Sequence, residues 1–399
     1  MTQGEVKRHN QVRALRAIRD HGGISRAQLA DSLALTKVGV SRPVADLLAA
    51  GIVVEEEIEH SGPGRRPIGL QLTGGMLASL GFDIRIDRAI EVLQDVDGTI
   101  VAKCVIDLPE GVTAAELLGI LAERILSAAE TLNYRIVGVG VALPAEVDGA
   151  MREIRFSLPM GWGRVAFCED LEELTGNRYR VRLADISGAA ALANSRLNLP
   201  NLAHLQIGYG AGLSYILAGS LGSLGVVGEF GHIPMMVDGP ECICGRRGCL
   251  DAVAGFQVMV DGARRLGIDF TAGPDAMNGL SARLAHEAGS GNEGVRGLIE
   301  QAAGWMARVV AVVAMIRPAA SMTVGGYPLA LGEAFWDPFM AALVKLRPGA
   351  ARLMVKSPLG DAASTVGVGL LGAEILFEDP LGWTARDAAP TRAGVIGSP

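Results

Sequence analysis

Four side chains with metal-binding chemistry fall within eighteen residues: His232, Cys242, Cys244 and Cys249. They lie in GEFGHIPMMVDGPECICGRRGCLD, Gly228 to Asp251, which holds three of the chain's five cysteines. Cysteine thiolate and histidine nitrogen suit zinc, and four such ligands close a tetrahedral structural site. C-x-C-G-x-x-G-C is a metal-ligand spacing, unlike the pattern of a packed core. The glycines let the backbone turn tightly enough for the ligands to converge. The expected cofactor is one structural zinc per chain. With four protein ligands it has no open position, so it should not activate a water. The bland alternative is three buried thiols and a surface histidine.

Glu229 and His232 stand in G-E-F-G-H, where Gly228 and Gly231 leave room for a ligand to approach the backbone. A metal-bound imidazole keeps its second nitrogen for an outer partner, such as a hydroxyl of a bound molecule. Glu229 either shares that ligand or only orients His232.

The rest of the chain has to position these groups. At 399 residues it exceeds the size at which single cores stop growing, so two or three domains are expected. Apolar residues make up 49% and charged residues 20%, ordinary for an α/β protein. No run of eighteen residues is both apolar and free of charge or turn signals, and the first residues carry no apolar secretory core. No membrane partner is expected. Clustered cysteines fit a reducing, cytoplasmic setting, with Cys104 and Cys168 isolated and structural.

Net charge is −7, which argues against nucleic-acid binding by the whole surface. The sign is uneven. Residues 1–75 hold ten basic and eight acidic residues, +2 against −9 for the remainder, and four of the acids cluster at 55–59. This segment reads as three helices and a hairpin. Val12, Leu15 and Ile18 recur at helical spacing over 10–21, and Gly22-Gly23 ends that helix. Ser25 is a good cap for a second helix through Leu33. Thr36 caps a third over 37–50, with Val40, Val44, Leu47 and Leu48 inward and Gly51 closing it. Two alternating runs flank Ser61-Gly62-Pro63-Gly64. The pattern is a winged helix-turn-helix, whose third helix would offer Lys37, Ser41 and Arg42 to the major groove of double-stranded DNA. Arg65 and Arg66 at the wing tip could enter a narrow minor groove. Pro43 is out of place inside a helix, at a cost of about 3 kcal/mol, so a kink or a later start is expected.

GEFGH followed by CxCGxxGC resembles the ROK family, which comprises sugar kinases and sugar-responsive transcriptional repressors. The resemblance implies an α/β chain: a bilobal actin-like ATPase (ROK) fold, a sugar site beside the zinc loop and, in the repressor branch, an N-terminal winged helix-turn-helix. It divides the chain into a DNA-binding domain (1–75), a first lobe (76–195), a second lobe with the zinc loop (196–361), a helix at 362–377 that packs back on the first lobe, and a flexible tail (379–399). Gly64-Arg65-Arg66-Pro67 is similar to the G-R-P turn of ROK repressors.

The same resemblance exposes departures. ROK kinases cradle ATP phosphates in a D-x-G-G-T turn. Here it reads Asp83-Ile84-Arg85-Ile86-Asp87, with both glycines and the threonine replaced. A phosphate cradle needs backbone N–H groups free of side-chain bulk. Asp185 aligns with the general base of the kinases, but Ala184 replaces the usual asparagine. The family's P-N-x-x-x-W asparagine is not evident in SLPMGW (157–162). Asp251 stands where the family carries a glutamate that touches the sugar. Segment 181–194 reads as strand-like, and Gly208, Gly210 and Gly212 as a lobe hinge.

The favoured reading is a DNA-binding regulator, a repressor of carbohydrate-metabolism genes, not an enzyme. Its effector, a sugar or sugar derivative, would meet Asp185, Glu229, His232 and Asp251, and a homodimer or homotetramer would bind a palindromic operator. A ROK sugar kinase with an added DNA-binding domain is one alternative. A DNA-binding protein whose body is only an oligomerisation scaffold is another.

Overall fold

The computed structural model describes residues 3–57, 68–196, 201–208, 210–217, 220–227, 230–270, 276–316 and 319–382. Residues 58–67, with Arg65 and Arg66, lie outside this set, as do Gly228, Glu229 and the tail from 383.

The first 72 residues form α1 (Gln3–His21), α2 (Arg26–Ser32), α3 (Lys37–Ala49), β1 (Val53–Glu57) and β2 (Ile68–Leu72). Helix α1 starts well before residue 10, because its polar first turns carry no apolar period to announce them. Ser25 makes a full capping box with Gln28, and the Thr36 hydroxyl accepts from Gly39 N–H. Ala34 takes positive φ at the turn between α2 and α3. Helix α3 begins at Lys37 and continues through Pro43, so no later start occurs. The proline is buried with Val40, Val44 and Leu47, and this packing offsets the hydrogen bond it cannot make. β1 and β2 pair antiparallel, and Ile24 adds a bridge to Leu70 as a third rung. The core of this unit does not stop at residue 75. It continues into Leu77, Val96, Val137, Ala373, Leu376 and Phe377.

A first lobe follows: β3 (Leu77–Ile84), β4 (Arg88–Asp95), β5 (Ile100–Asp107), α4 (Ala114–Thr131), β6 (Arg135–Leu143), β7 (Glu146–Val147), β8 (Ile154–Phe156), α5 (Phe167–Leu174), β9 (Val181–Asp185) and α6 (Ile186–Ser195). Its sheet runs β5-β4-β3-β6-β9, antiparallel in the opening meander and parallel across β3-β6-β9. The strand-like reading of 181–194 needs correction. The strand ends at Asp185, whose side chain caps a helix over the alanine-rich ISGAAALANS. Alanine's helix propensity and an aspartate N-cap outweigh the short apolar run. Cys168 is buried, as a structural thiol should be, whereas Cys104 is exposed on edge strand β5.

The second lobe repeats the plan: β10 (Leu202–Ile207), β11 (Ala211–Leu217), β12 (Ser220–Val227), α7 (Leu250–Ala254), α8 (Phe256–Arg265), α9 (Ala276–Gly289), α10 (Glu293–Ile316), β13 (Ser321–Gly326), α11 (Tyr327–Ala330), α12 (Glu333–Leu346), α13 (Pro348–Ala351), β14 (Met354–Lys356) and α14 (Ala363–Glu378). Its sheet order, β12-β11-β10-β13-β14, matches that of the first, with three antiparallel strands and then two parallel pairings. Each lobe ends in a helix that crosses over: α6 packs on β10 and β11, and α14 packs on β3 and β6. The crossing of α14 was expected from its glycine spacing. Its backbone lies directly on the sheet. A Cβ on Gly81 would stand 2.6 Å from Gly369 N, and one on Gly372 2.9 Å from Gly140 N. Helices α10 and α14 reach membrane-spanning length and apolarity, but most of each is buried in these cores.

Candidate functional site

The metal ligands expected from spacing converge. The ligand atoms of His232, Cys242, Cys244 and Cys249 all lie within 4.8 Å of one another. Cys244 Sγ and Cys249 Sγ are 3.7 Å apart, and Cys242 Sγ is 3.4 Å from His232 Nδ1. A tetrahedron with arms of about 2.3 Å has edges of about 3.8 Å, so these separations suit a four-coordinate ion. The loop is built for it. Cys242 N donates to Arg246 O and Gly245 N to Cys242 O, at 2.8 and 2.9 Å, closing a tight turn around the first two thiols. Gly248 holds positive φ, and a side chain there would collide with the Met236 carbonyl.

A cation would favour the ionised form of these donors. Burial raises the Cys244 thiol, but Arg246 and the neighbouring thiols bring it down to about 7. Burial and the hydrogen bonds of Cys244 and Cys242 push Cys249 up to about 12. Three thiols this close cannot all ionise together without a positive charge among them. The cluster could hold a metal ion, and its soft donors fit zinc.

Asp251 ties this loop to the lobe. It follows Cys249 on α7, and its Oδ1 accepts from Ala211 N at 2.8 Å, while Oδ2 lies 3.8 Å from His232 Nδ1. Gly231 lies against Asp251: a Cβ there would displace the Asp251 carboxylate. Burial pushes that carboxyl up to about 6, against the Ala211 N–H.

Asp185 lies beside the start of β11, close to the same β10–β11 turn. A Cβ built on Gly212 would stand 3.3 Å from Asp185 Oδ2, and one on Gly210 would stand 3.5 Å from Asp251 Oδ2. The two carboxylates therefore flank residues 210–212, where the lobes meet. Both Asp185 oxygens already have partners. Oδ1 accepts from Gly188 N at 2.8 Å, and Oδ2 accepts from the Ser187 hydroxyl, which itself contacts Ser214 Oγ at 2.8 Å. Each oxygen keeps a second lone pair for an incoming hydroxyl. Burial raises this carboxyl, while Ser187 and the helix N–H groups lower it.

The first-lobe turn is occupied by its own side chains. Asp83 is fully buried, and its Oδ2 accepts from Arg85 Nη2 at 2.8 Å, Ser364 Oγ at 2.8 Å and Thr365 Oγ1 at 2.9 Å. Arg85 also reaches Ser364 Oγ at 2.8 Å. Burial raises the carboxyl of Asp361 nearby, with Arg85 and Asn278 of α9 pulling it back. The Arg85 guanidinium is thus bonded within this turn, to Asp83 and Ser364.

At the N-terminal unit, Lys37, Ser41 and Arg42 are all exposed on α3, while Val40, Val44 and Leu47 are buried. The Ser41 hydroxyl bonds back to Lys37 O at 2.8 Å. Val38, 83% exposed between Lys37 and Arg42, completes the face.

The ROK family matches residues 80–378, three quarters of the chain. The chain belongs to the ROK family. Residues 6–66 match the MarR family, so this ROK chain carries a MarR-type winged helix at its N-terminus. The xylose repressor of Bacillus subtilis is 29% identical over 267 residues, covering 64% of this chain and 68% of that protein. The DNA-binding transcriptional dual regulator NagC of Escherichia coli is 28% identical over 260 residues, 62% of this chain and 63% of that one. Among solved structures, a ROK family transcriptional regulator described as a homolog of the E. coli MLC protein overlays with TM-score 0.79 at 20% identity, covering 96% of this chain and 99% of that one. A ROK family glucokinase from Streptomyces griseus, in complex with glucose and AMPPNP, gives 0.61 at 22% identity, covering 74% and 99%. These two likenesses establish the fold.

In this ROK body the structure brings His232, Cys242, Cys244, Cys249 and Asp251 into one cluster, with Asp185 across the glycine turn. Glu229 lies outside the described residues, as do Arg65 and Arg66 of the wing. Sequence reading missed Val38, whose signal is an apolar residue on the polar face of α3. It also missed that Arg85 bonds Ser364 and that Asp83 bonds Ser364 and Thr365, about 280 residues along the chain, a separation no local pattern spans.

Proposed function

We propose that this ROK protein is a DNA-binding transcriptional regulator, a repressor of carbohydrate-metabolism genes, that binds a sugar or sugar derivative between its lobes. The observation that carries the reading is the pairing of an exposed Lys37–Val38–Ser41–Arg42 face on α3 with a body whose phosphate turn is filled by Arg85. The relatives that match over about two thirds of their length are named as xylose and N-acetylglucosamine repressors, which supports a sugar effector here. Asp185, Glu229, His232 and Asp251 would meet its hydroxyls. Lys37, Ser41 and Arg42 would enter the major groove, with Arg65 and Arg66 on the minor groove beside it. One zinc on His232, Cys242, Cys244 and Cys249 would fix the loop that presents His232 and Asp251, leaving the metal no position for chemistry. A homodimer or homotetramer acting on cytoplasmic DNA would read a palindrome with half-sites about 34–36 Å apart.

The test is selection of duplexes from a random library by the full-length protein. Enrichment of a palindrome, lost in Lys37→Ala/Arg42→Ala, supports the reading, and no enrichment overturns it. A second reading, a sugar kinase, is favoured by one observation, the carboxylate of Asp185 beside the glycine turn. Sugar-dependent ATP consumption abolished by Asp185→Asn would establish it.

A further inference from the structure

Helices α6 and α14 lie side by side and run in the same direction. Ala189 O is in contact with Gly367, Leu192 and Ala193 cluster with Leu370 and Leu371, and Arg196 Nη2 meets Glu374 Oε1 at 2.7 Å. The register is constant, so the axes are parallel. Each helix starts at a polar turn of the proposed inter-lobe site. α6 opens on Asp185, and α14 opens on Ser364 and Thr365, which hold Asp83 and Arg85. About 15 Å further on, ten residues at 1.5 Å each, the end of α6 meets one buried acid in the last two turns of α14.

That acid is Glu374, only 2% exposed in the apolar stretch from Val366 to Phe377. Three guanidinium groups converge on it. Arg196 comes from the end of α6. Arg16 and Arg19 come from α1 of the DNA-binding domain, each at 3.0 Å. Arg19 also stacks on the Phe377 ring at 4.4 Å, and Arg196 reaches Asp20 at 3.8 Å. The cluster holds competing forces. Burial and the Arg19 cation lower Arg196, while Glu374 and Asp20 raise it, and Arg196 Nε has no partner. Small relative shifts of the three helices therefore change its balance.

The packing says what would cause such shifts. α6 rests on the second-lobe sheet and α14 on the first, so a change in lobe closure would be passed to the contact between the two helices. Ala189 and Gly367 bring the two backbones together near the start of the helices, and Leu192 and Ala193 pack on Leu370 and Leu371 further along.

We propose that α6 and α14 form a two-helix lever that couples the inter-lobe cleft to the DNA-binding domain, with Glu374 as the joint. The effector reading above supplies what moves the cleft, and the lever rests on it only for that.

Hydrogen exchange on the full-length protein tests the coupling without effector or operator, so its failure is separate from failure of the effector reading. Arg85→Ala releases α14 at the cleft end and touches nothing in α1. The expected result is faster exchange in α1 amides 11–20, by about two- to thirtyfold, the range of coupling along packed networks. Arg16→Gln/Arg19→Gln frees the joint while leaving the ROK body's own contacts in place, and should speed exchange at 80–88. Changes confined to the neighbourhood of each substitution, with the far end unmoved in both variants, would overturn the lever.

Discussion

The two lobes share one strand order and differ at one turn. In the first lobe, the turn after β3 carries Arg85, Ile86 and Asp87, and Arg85 is bonded to Asp83 and Ser364. In the second, the turn after β10 has Gly208 and Gly210, with Gly208 N bonded to Gly210 O at 2.9 Å and Asp251 reaching Ala211 N. The same fold position carries an ion pair in one lobe and, at the described Gly208 and Gly210, glycines beside the Asp251 carboxylate in the other. A cradle for phosphate needs the second kind of turn at both places, whereas a sensor of neutral hydroxyls needs only one open turn with carboxylates beside it.

This contrast can be broken from either side. The largest effect should come from the metal loop. Cys244→Ser should abolish stoichiometric zinc by metal analysis and open the loop. Structural zinc is worth on the order of 10 kcal/mol in small isolated sites, and a sizeable part of that should appear as a lowered thermal midpoint. Exchange should rise at 230–251 and 210–212 and stay flat at 83–88.

Next comes the second-lobe sheet. His204 is fully buried, bonded to Thr323 Oγ1 at 2.8 Å and Gln206 Oε1 at 3.0 Å, and burial lowers it to about 4. It stays neutral in the folded chain while the unfolded chain takes up a proton near 6.5. Stability from this group is therefore complete above pH 6.5 and lost as pH falls towards 4, by about 3 kcal/mol in all. Denaturant melts across that window should show the loss, and His204→Asn should flatten it.

Arg85→Gly makes the first turn resemble the second. It leaves Asp83 buried on two hydroxyls alone and should destabilise the chain by about 2 kcal/mol, measured as a drop in the denaturant midpoint. If the turn alone kept ATP out, the variant would also gain a thermal shift with ATP. The smallest effect lies outside both lobes. Arg42→Ala on α3 should weaken binding to a selected operator by about 1–3 kcal/mol without moving the thermal midpoint.

Sequence made the local signals plain. Ser25 and Thr36 cap the helices they were expected to cap, and the His-Cys-Cys-Cys set converges, because capping and metal-ligand spacing are short-range patterns. The strand-like reading of 181–194 held as far as Asp185 and failed beyond it, because an apolar run with alanines fits either a buried strand or a buried helix, and only the role of Asp185 as a cap decides between them. The filled first turn was legible as lost glycines, but not the bonds that fill it, since Ser364 and Thr365 arrive from the far end of the chain. Glu374 left a trace that went unread. A lone acid inside GLLGAEILF has to be paired where it is buried, although its partners Arg16, Arg19 and Arg196 are named only by the tertiary structure.

The most direct test of the sensor reading is a thermal-shift screen of the full-length protein against xylose, N-acetylglucosamine, their phosphates, other simple sugars and ATP. A ligand that binds only the folded state raises the midpoint. The account expects a rise with a sugar or sugar phosphate and none with ATP. A rise with ATP, or no response to any member of the panel, would contradict it.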